Sequence, residues 1–187
     1  MEKLRPMRPI RPPAARIRVP SFDDAMTLGM LVHASLHDAP SAPVEPDELD
    51  GDLEQVGRDF ISAMSYGSES LLYAEVGRNA AGLARLVPRE FVRGAHVATL
   101  QLLVAPTLRG RGVGRQLRDQ ALAEGFGPRR FERIEMAIAS HDDALERMVG
   151  DGGWSLERVE RRAMKVGGRY RDVAIWVTDA TPRRGRR

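Results

Sequence analysis

The sequence predicts a single α/β domain, and three observations support this fold class. The chain has 187 residues, of which 42% are hydrophobic and 29% are charged, as expected for a globular protein with one substantial core. Apolar residues recur at helical spacing in some stretches and at strand spacing in others, and the two patterns alternate along the chain. The third observation is a strand that continues through a glycine-rich loop into a helix, over residues 100–122. Such alternation of strands and helices is typical of α/β proteins.

The apolar periodicity predicts the order of the elements. Ser21 is a suitable N-cap for the first helix, and Gly77, Arg78 and Asn79 form a turn between two strands. In chain order, the predicted elements are a strand at 16–19, helices at 21–36 and 47–64, strands at 71–76, 81–89 and 96–104, a helix ending near 125, a strand at 132–139, a short helix at 142–149, and a hairpin of strands at 155–166 and 170–178.

The two ends of the chain differ from its middle in composition. The formal net charge is +3, with arginines concentrated at both ends, so the middle is acidic on balance. Basic, proline-rich ends with few apolar residues do not form a packed core. We therefore expect a flexible leader over residues 1–15, one domain over 16–178 and a flexible tail over 179–187. Because no aromatic residues are interleaved with the basic ones, we expect no specific nucleic-acid binding.

Several features of the composition narrow the class of protein further. The chain has no cysteine, which excludes disulfides, thiolate metal sites and a cysteine nucleophile. No window approaches about 18 uninterrupted apolar residues, the length that suggests a membrane span. The first residues carry charges and prolines where a signal peptide would need its apolar core. We therefore expect a cytoplasmic protein without a membrane partner or a bound metal.

The segment of residues 100–122 carries the strongest functional signal. An apolar run ends at Val104, and a loop with three glycines leads into the next helix. The first turn of a helix presents backbone N–H groups without intrahelical partners and the positive end of the helix dipole, and glycine lets a phosphate approach closely. Three arginines surround this loop, namely Arg109, Arg111 and Arg115. The segment therefore predicts a site for a diphosphate.

The spacing within this loop excludes two common classes of phosphate-binding motif. A dinucleotide fingerprint needs glycine at the first, third and sixth positions, but the sixth position counted from Gly110 is Arg115. The Gly-Lys-Ser/Thr of a P-loop is missing as well. The pattern present is Arg-x-x-Gly-x-Gly at Arg109, Gly112 and Gly114, preceded by Leu-Leu-Val-x-Pro. It resembles the acetyl-CoA pyrophosphate loop of the GNAT superfamily of N-acetyltransferases, although glycines that serve only tight packing are the simpler alternative.

The resemblance extends over residues 16–178. The order of predicted elements is that of the GNAT fold, which implies a mixed, mostly antiparallel central sheet flanked by helices. Residues 138–154 resemble the family's segment of strand, short helix and Gly-Phe, with Gly153-Trp154 in the last position. Residues 168–172, Gly-Arg-Tyr-Arg-Asp, resemble the Gly-x-Tyr-x-Asp that often precedes the family's final strand.

The resemblance implies acetyl transfer from acetyl-CoA directly to an amine, on a small molecule or a protein. The backbones of Leu103 and Val104 would hold the pantetheine arm and polarise the acetyl carbonyl. The pyrophosphate would lie against a continuous loop segment, comprising Arg109, Gly110, Arg111, Gly112, Val113, Gly114 and Arg115. The usual asparagine at the start of the short helix aligns with Asp142, whose ionised side chain cannot donate a hydrogen bond, so Ser140 or His141 is expected to do that job instead.

The residues that would move protons depart from the family pattern. Many relatives have an acidic residue three or four positions before the strand's final valine, where this chain has Gln101 and Leu100. An amide cannot accept a proton at neutral pH. The usual tyrosine near the end of the short helix is replaced by Val149. His141 is the first substitute base, because imidazole is the side chain best suited to proton transfer near neutral pH, and Tyr170 is the candidate acid.

Other titratable residues have simpler structural explanations. His96 is expected at the surface, and Asp142 and Asp143 are expected to be the N-cap and a first-turn acid of the short helix. Glu135 completes the set of candidates. Three hypotheses therefore follow, namely an N-acetyltransferase, an acyl-CoA-binding module without transfer activity, and a basic nucleic-acid-associated protein. The family and the apolar residues of the last hairpin also suggest a homodimer.

Overall fold

The protein is described by a computed structural model that covers residues 14–49, 51–66 and 69–180. In these residues seven strands form one sheet. They are β1 (Arg16–Arg18), β2 (Ser70–Val76), β3 (Asn79–Pro88), β4 (Val97–Val104), β5 (Arg133–Ala139), β6 (Ser155–Val166) and β7 (Arg169–Asp179). The order in the sheet is β1-β2-β3-β4-β5-β7-β6. Neighbouring strands are antiparallel except for β4 and β5, which are parallel.

Helices cover both faces of the sheet. The α-helices are α1 (Ala25–Leu36), α2 (Leu53–Tyr66), α3 (Val113–Phe126) and α4 (Asp143–Gly150). On the front face, α1 and α2 pack on β2 to β4 around buried residues such as Leu28 and Leu83. On the back face, Leu117 of α3 and Val149 of α4 are fully buried in one cluster with Ile134 of β5. The mixed, mostly antiparallel sheet flanked by helices is the predicted fold.

Two glycines allow α1 and α2 to pack with their backbones in close contact. A Cβ atom at Gly29 would lie 1.6 Å from the Leu53 carbonyl oxygen, and one at Gly57 would lie 1.8 Å from the Ala25 carbonyl oxygen. No side chain fits at such distances, because close-packed atoms cannot overlap. The two helices are therefore held in direct backbone contact.

The start of α1 is anchored to the sheet by an ion-pair network. The Arg18 guanidinium donates to both carboxylate oxygens of Asp24 at 2.7 Å and to those of Glu75 at 3.1 Å. Hydrogen bonds from Arg18 lower the pKa of Asp24 well below its usual range. Asp24 also accepts the backbone N–H of Ser21 at 2.7 Å. The first turn, Phe22–Asp24, is a 3-10 turn rather than the α-helix predicted from Ser21.

The second predicted helix begins later than its apolar pattern indicated. The expected start was Asp47, but Pro46–Glu48 form a separate 3-10 turn and α2 begins at Leu53. Asp52 is the residue that caps it, because its carboxylate accepts the Gln55 N–H at 2.9 Å and its carbonyl accepts the Val56 N–H at 3.0 Å. The sequence offered several acidic residues in this stretch, and only the fold selects one of them as the cap.

The described residues include only part of the predicted leader and tail. β1 begins at Arg16 as expected, and β7 extends to Asp179, one residue into the predicted tail. Residues 1–13 and 181–187, which hold most of the predicted leader and tail, lie outside the described residues.

The sheet opens between β4 and β5, and this opening positions the site. β4 pairs with β3 from Ala98 to Val104, along almost its whole length. It pairs with β5 only from Val97 to Thr99. Beyond Thr99 the two parallel strands separate toward their carboxyl ends, next to the starts of α3 and α4. We call this opening the cleft.

Candidate active site

The backbone of β4 determines which groups face the cleft. The Ala105 N–H donates to the Ala81 carbonyl of β3 at 3.0 Å. Because backbone groups alternate in direction along a strand, those of Leu102 and Val104 point the other way, toward the cleft. The Leu103 carbonyl faces β3, close to Gly82. Of the two residues predicted to hold pantetheine, only Val104 therefore directs its backbone at the cleft, and Leu102 joins it.

The glycine loop, residues 109–112, and the start of α3 form one rim of the cleft, which we call the α3 rim. Gly110 and Gly112 have φ angles of +71° and +82°, in the left-handed region that glycine adopts without strain. Gly112 is the N-cap of α3, and its carbonyl accepts the Gln116 N–H at 3.2 Å. The N–H groups of the first turn, Val113, Gly114 and Arg115, lie at the positive end of the helix. The start of α3 therefore has the geometry of an anion site.

Two of the three predicted arginines are available near this helix start. Arg111 is exposed. The Arg115 side chain is 57% exposed and pairs with Asp151 of the turn after α4 at 2.5 Å. Exposed ion pairs of this kind contribute little and exchange readily. Both side chains are therefore open to solvent beside the start of α3.

Arg109 is engaged differently from the other two. Its Nε donates to the Val104 carbonyl at 3.2 Å, one Nη donates to the Ser35 carbonyl at 3.1 Å, and the other to the Asp38 carboxylate at 2.5 Å. Its guanidinium thus joins the end of β4 to the end of α1. The arginine of the Arg-x-x-Gly-x-Gly pattern therefore links α1 on the front face to β4 in the centre of the sheet. The pattern alone did not indicate this role.

The start of α4 forms the other rim, which we call the α4 rim. Asp142 is its N-cap, as predicted, with one carboxylate oxygen accepting the Leu145 N–H at 3.2 Å. The other oxygen accepts the Ser41 hydroxyl at 2.7 Å. Ser41 comes from the loop between α1 and α2, and its oxygen also accepts the Ala139 N–H at 3.0 Å. Sequence reasoning missed Ser41, because nothing local marks a serine in a proline-rich loop.

The residues flanking Asp142 have distinct roles. Ser140 donates its backbone N–H to the Asp172 carbonyl of β7 at 2.8 Å. His141 is exposed and has a φ of +76°, which is uncommon for a residue with a side chain. Backbone conformations of this kind cluster at functional sites. His141 precedes the N-cap of α4 and is thus exposed at the α4 rim. Asp143 is an acid in the first turn of α4, as predicted.

The family's usual acid and base positions are occupied by unreactive side chains. Val149 is fully buried in the back core. Gln101 accepts a long contact of 3.5 Å from Arg85, which is itself held by Glu69 through two hydrogen bonds of 2.6 and 2.7 Å. Neither Val149 nor Gln101 can therefore transfer a proton at these positions.

The remaining candidates lie away from the cleft or are already paired. Tyr170 is 56% exposed and precedes Val173, the first residue of β7 that pairs with β5; its ring stacks with the Arg162 guanidinium at 4.3 Å. His96 precedes β4 at the end opposite the glycine loop and is exposed, as expected. Both carboxylate oxygens of the buried Glu135 accept from Arg89 at 3.0 Å. The structure does not bring these three side chains together.

The groups that face the cleft are of the kinds that an extended ligand with amides and a diphosphate could use. The β4 edge offers backbone groups that a chain of amides can pair with, in the manner of an added strand. The diphosphate end would meet the first turn of α3 with Arg111 and Arg115. A Cβ at Gly110 would meet no atom within 4 Å, so the approach to this loop is open.

Neither a metal-binding cluster nor a membrane-spanning helix is found among the described residues. Within residues 14–49, 51–66 and 69–180, no three histidine or acidic side chains are grouped to hold a metal ion. No helix in that part of the chain is long and apolar enough to cross a membrane.

Several solved structures with the same fold are acetyltransferases. An N-acetyltransferase from Staphylococcus aureus superposes with a TM-score of 0.79 at 13% identity, covering 90% of this chain and 99% of that one. The YncA protein from Salmonella typhimurium, solved with its cofactor acetyl-CoA, gives a TM-score of 0.79 at 16% identity, covering 92% of this chain and 97% of that one. The ribosomal-protein-alanine N-acetyltransferase from Brucella melitensis gives 0.77 at 21% identity, covering 88% and 99%. At these identities the similarity establishes the fold.

The sequence itself assigns the family. Residues 33–149, more than half of the chain, match the model of the Acetyltransferase (GNAT) family. The matched segment includes β4, the glycine loop, α3 and all of α4 except its last residue, which are the elements that form the cleft and both of its rims. The chain therefore belongs to the GNAT family of acetyltransferases.

Proposed function

We propose that this protein transfers the acetyl group of acetyl-CoA directly to the amine of an acceptor, either a small molecule or a protein. One observation carries the proposal, namely that the cleft between β4 and β5 opens onto the start of α3. The N–H groups at that helix start suit the pyrophosphate, and the free edge of β4 suits the amides of pantetheine. A single ligand of the shape of acetyl-CoA would use both.

The protein residues would each have a limited task in binding. Leu102 and Val104 would pair with the pantetheine arm through their backbones. Residues 110–115 would bind the pyrophosphate, with the exposed cations of Arg111 and Arg115 adding charge-assisted hydrogen bonds. Arg109 would hold the end of β4 in position through the Val104 carbonyl. Ser140 and Asp142 would line the opposite rim.

The chemistry is a direct displacement at the thioester carbonyl. The amine nitrogen bonds to the carbonyl carbon, and the carbon–sulfur bond breaks with its electron pair leaving on the thiolate. Alignment of the two reactants in a preformed cleft accounts for a large part of such a rate enhancement. An amine proton must also be removed, and the thiolate must be protonated.

Calorimetric titration with acetyl-CoA tests the binding site. In a Gly112→Asp variant, the new carboxylate would repel the phosphates at the helix start, and we expect binding to weaken by about 100-fold or more. Gly77→Asp is the matched control, because Gly77 also has a positive φ, +66°, but lies in the β2–β3 turn with no atom within 4 Å of its Cβ position. Equal affinity of both variants for acetyl-CoA would contradict this assignment of the loop.

An acyl-CoA-binding module without transfer activity is the alternative function. It is favoured by Gln101 and Val149, which occupy the positions where many relatives have a base and an acid. Turnover distinguishes the two functions, and it can be followed as free thiol released from acetyl-CoA with polyamines, aminoglycosides and peptides. Binding without thiol release above the hydrolysis rate, for every acceptor class, would favour the module.

We also propose a cytoplasmic homodimer formed through the last hairpin. Leu156 and Val159 of the edge strand β6 are 50% and 51% exposed, which supports a contact there. Light scattering measures the oligomeric state, and a Val159→Glu variant that remains dimeric would exclude this surface.

A further inference from the structure

A short segment before α2 crosses the mouth of the cleft. It comprises residues 38–41, and we call it the strap. At one end Asp38 binds Arg109 beside the α3 rim, and at the other end Ser41 binds Ala139 and Asp142 at the α4 rim. The strap therefore spans the opening between the two strands, where a thioester held on the β4 edge would lie.

The Ser41 hydroxyl lies on the cleft side of β5. The N–H of Ser140 donates to the Asp172 carbonyl of β7 at 2.8 Å. Because successive backbone groups point to opposite sides of a strand, the N–H of Ala139 points away from β7, toward β4. The Ser41 oxygen that accepts this N–H at 3.0 Å is consequently on the open edge.

Hydrogen bonds orient this hydroxyl. A serine oxygen has one proton and two lone pairs. Ser41 directs its proton to the Asp142 carboxylate at 2.7 Å and one lone pair to the Ala139 N–H. No other described residue donates to this oxygen, so its second lone pair is left for another donor. Both Ser41 and Asp142 are only partly buried, so a small donor such as an amine can approach.

We propose that Ser41 and Asp142 form a proton relay that deprotonates the acceptor amine during acetyl transfer. The inference rests on the proposed function and deepens it. As the amine nitrogen bonds to the thioester carbon, it gains positive charge and its proton becomes acidic. That proton passes to the Ser41 oxygen while the Ser41 proton passes to Asp142, and the thiolate leaves with the electrons of the broken carbon–sulfur bond.

The same relay restores the initial protonation state. After transfer, the products are the acetylated amine, the CoA thiolate and a protonated Asp142. A thiolate is a stronger base than a carboxylate, so the proton moves from Asp142 to the sulfur. One pair of residues then performs both tasks for which the sequence has no side chain at the usual positions, Gln101 and Val149. Ser41 contacts the amine and is the catalytic residue, whereas Asp142 acts through it.

The decisive variant is Asp142→Asn. Asparagine caps helices as well as aspartate does and can hydrogen-bond to Ser41, but it cannot take a proton. With the fastest acceptor found by thiol release, we expect kcat to fall by about 100-fold, in the range typical of general-base catalysis. The affinity for acetyl-CoA and the melting temperature should stay near those of the wild type.

Two further variants test the pair as a unit. Ser41→Ala should lower kcat by a similar factor, and the double variant should be no slower than either single variant, since the residues act together. Ser41→Thr keeps the hydroxyl and should retain at least about one-tenth of the wild-type kcat. A relay also moves two protons at once, so the solvent isotope effect on kcat should decrease in Asp142→Asn.

The outcomes separate this inference from the proposed function. Wild-type kcat in Asp142→Asn would overturn the relay and leave Asp142 as a helix cap that fastens the strap, with acetyl transfer intact. Losses that multiply in the double variant, or that appear only in the KM of the acceptor, would also overturn it. Absence of turnover by the wild-type protein would overturn both proposals.

Discussion

The two rims of the cleft are built in opposite ways. The α3 rim is local, because its glycine loop, its helix cap and the first-turn N–H groups of α3 lie within residues 109–115. The α4 rim is assembled from distant parts, since Ser41 and Asp142 are 101 residues apart in the chain. The first rim depends on backbone conformation and the second on side-chain contacts that only the complete fold creates. The difference shows why donor binding can be inferred from a short motif and acceptor chemistry cannot.

The packing of α1 on α2 offers the strongest way to separate the two rims. At Gly57 an added methyl group would lie 1.8 Å from the Ala25 carbonyl oxygen. Gly57→Ala should therefore push the helices apart and lower the free energy of unfolding by about 3 kcal/mol. Because the strap follows α1, acceptor turnover should fall further than acetyl-CoA affinity when both are measured below the melting transition.

Gly150→Ala is the control for this substitution. Gly150 ends α4 and is exposed, and a Cβ atom added there would meet no atom within 4 Å. Its replacement should leave stability within about 0.5 kcal/mol of the wild type. Denaturant unfolding compares the two variants, and equal stability of both would contradict the close contact between the helices.

The same contrast explains what the sequence predicted. The order of strands and helices followed from periodicity, and the predicted anion loop followed from glycines and arginines placed at the start of a helix. Ser41 gave no signal, because its partners belong to β5 and α4. Arg109 was expected at the phosphates, and its bonds to Ser35 and Asp38 depend on where α1 ends in space. Tertiary partners of this kind have no periodicity by which a sequence can reveal them.

Arginine variants on the α3 rim test this distinction within one loop. Arg109→Ala removes hydrogen bonds to two carbonyl oxygens and the Asp38 carboxylate, so stability should fall by about 2 kcal/mol while acetyl-CoA affinity changes by about twofold or less. Arg111→Ala should do the reverse, because its cation is exposed and can turn toward a ligand. We expect about tenfold weaker binding of acetyl-CoA, or about 1.4 kcal/mol.

Calorimetry and thermal unfolding of both arginine variants give the comparison. Suppose instead that Arg109→Ala weakened acetyl-CoA binding as much as Arg111→Ala and left stability unchanged. That result would mean that Arg109 of the wild-type protein leaves Asp38 and binds the phosphates. The strap would then lose its anchor at the α3 rim whenever the donor is bound.

The opposite end of α1 provides the smallest expected effect and a control that lies outside both rims. Arg18 lowers the pKa of Asp24, whose side chain is 16% exposed. A carboxylate with a lowered folded pKa stabilises the protein above its unfolded pKa, near 4, and that stabilisation is lost as the pH falls toward the folded value. Asp24→Asn should therefore lower the free energy of unfolding by about 1 kcal/mol at pH 7 and by progressively less below about pH 4.

Asp23→Asn is the matched control, because Asp23 is exposed and makes no ion pair with the residues that the structure describes. Unfolding in urea at pH 7 and pH 3 measures the difference between the two variants, and a gap that stayed constant over this range would contradict the assigned network. Since the network is remote from the cleft, neither variant should alter acetyl-CoA affinity at pH 7, so any change in binding would mean that both rims depend on the whole length of α1.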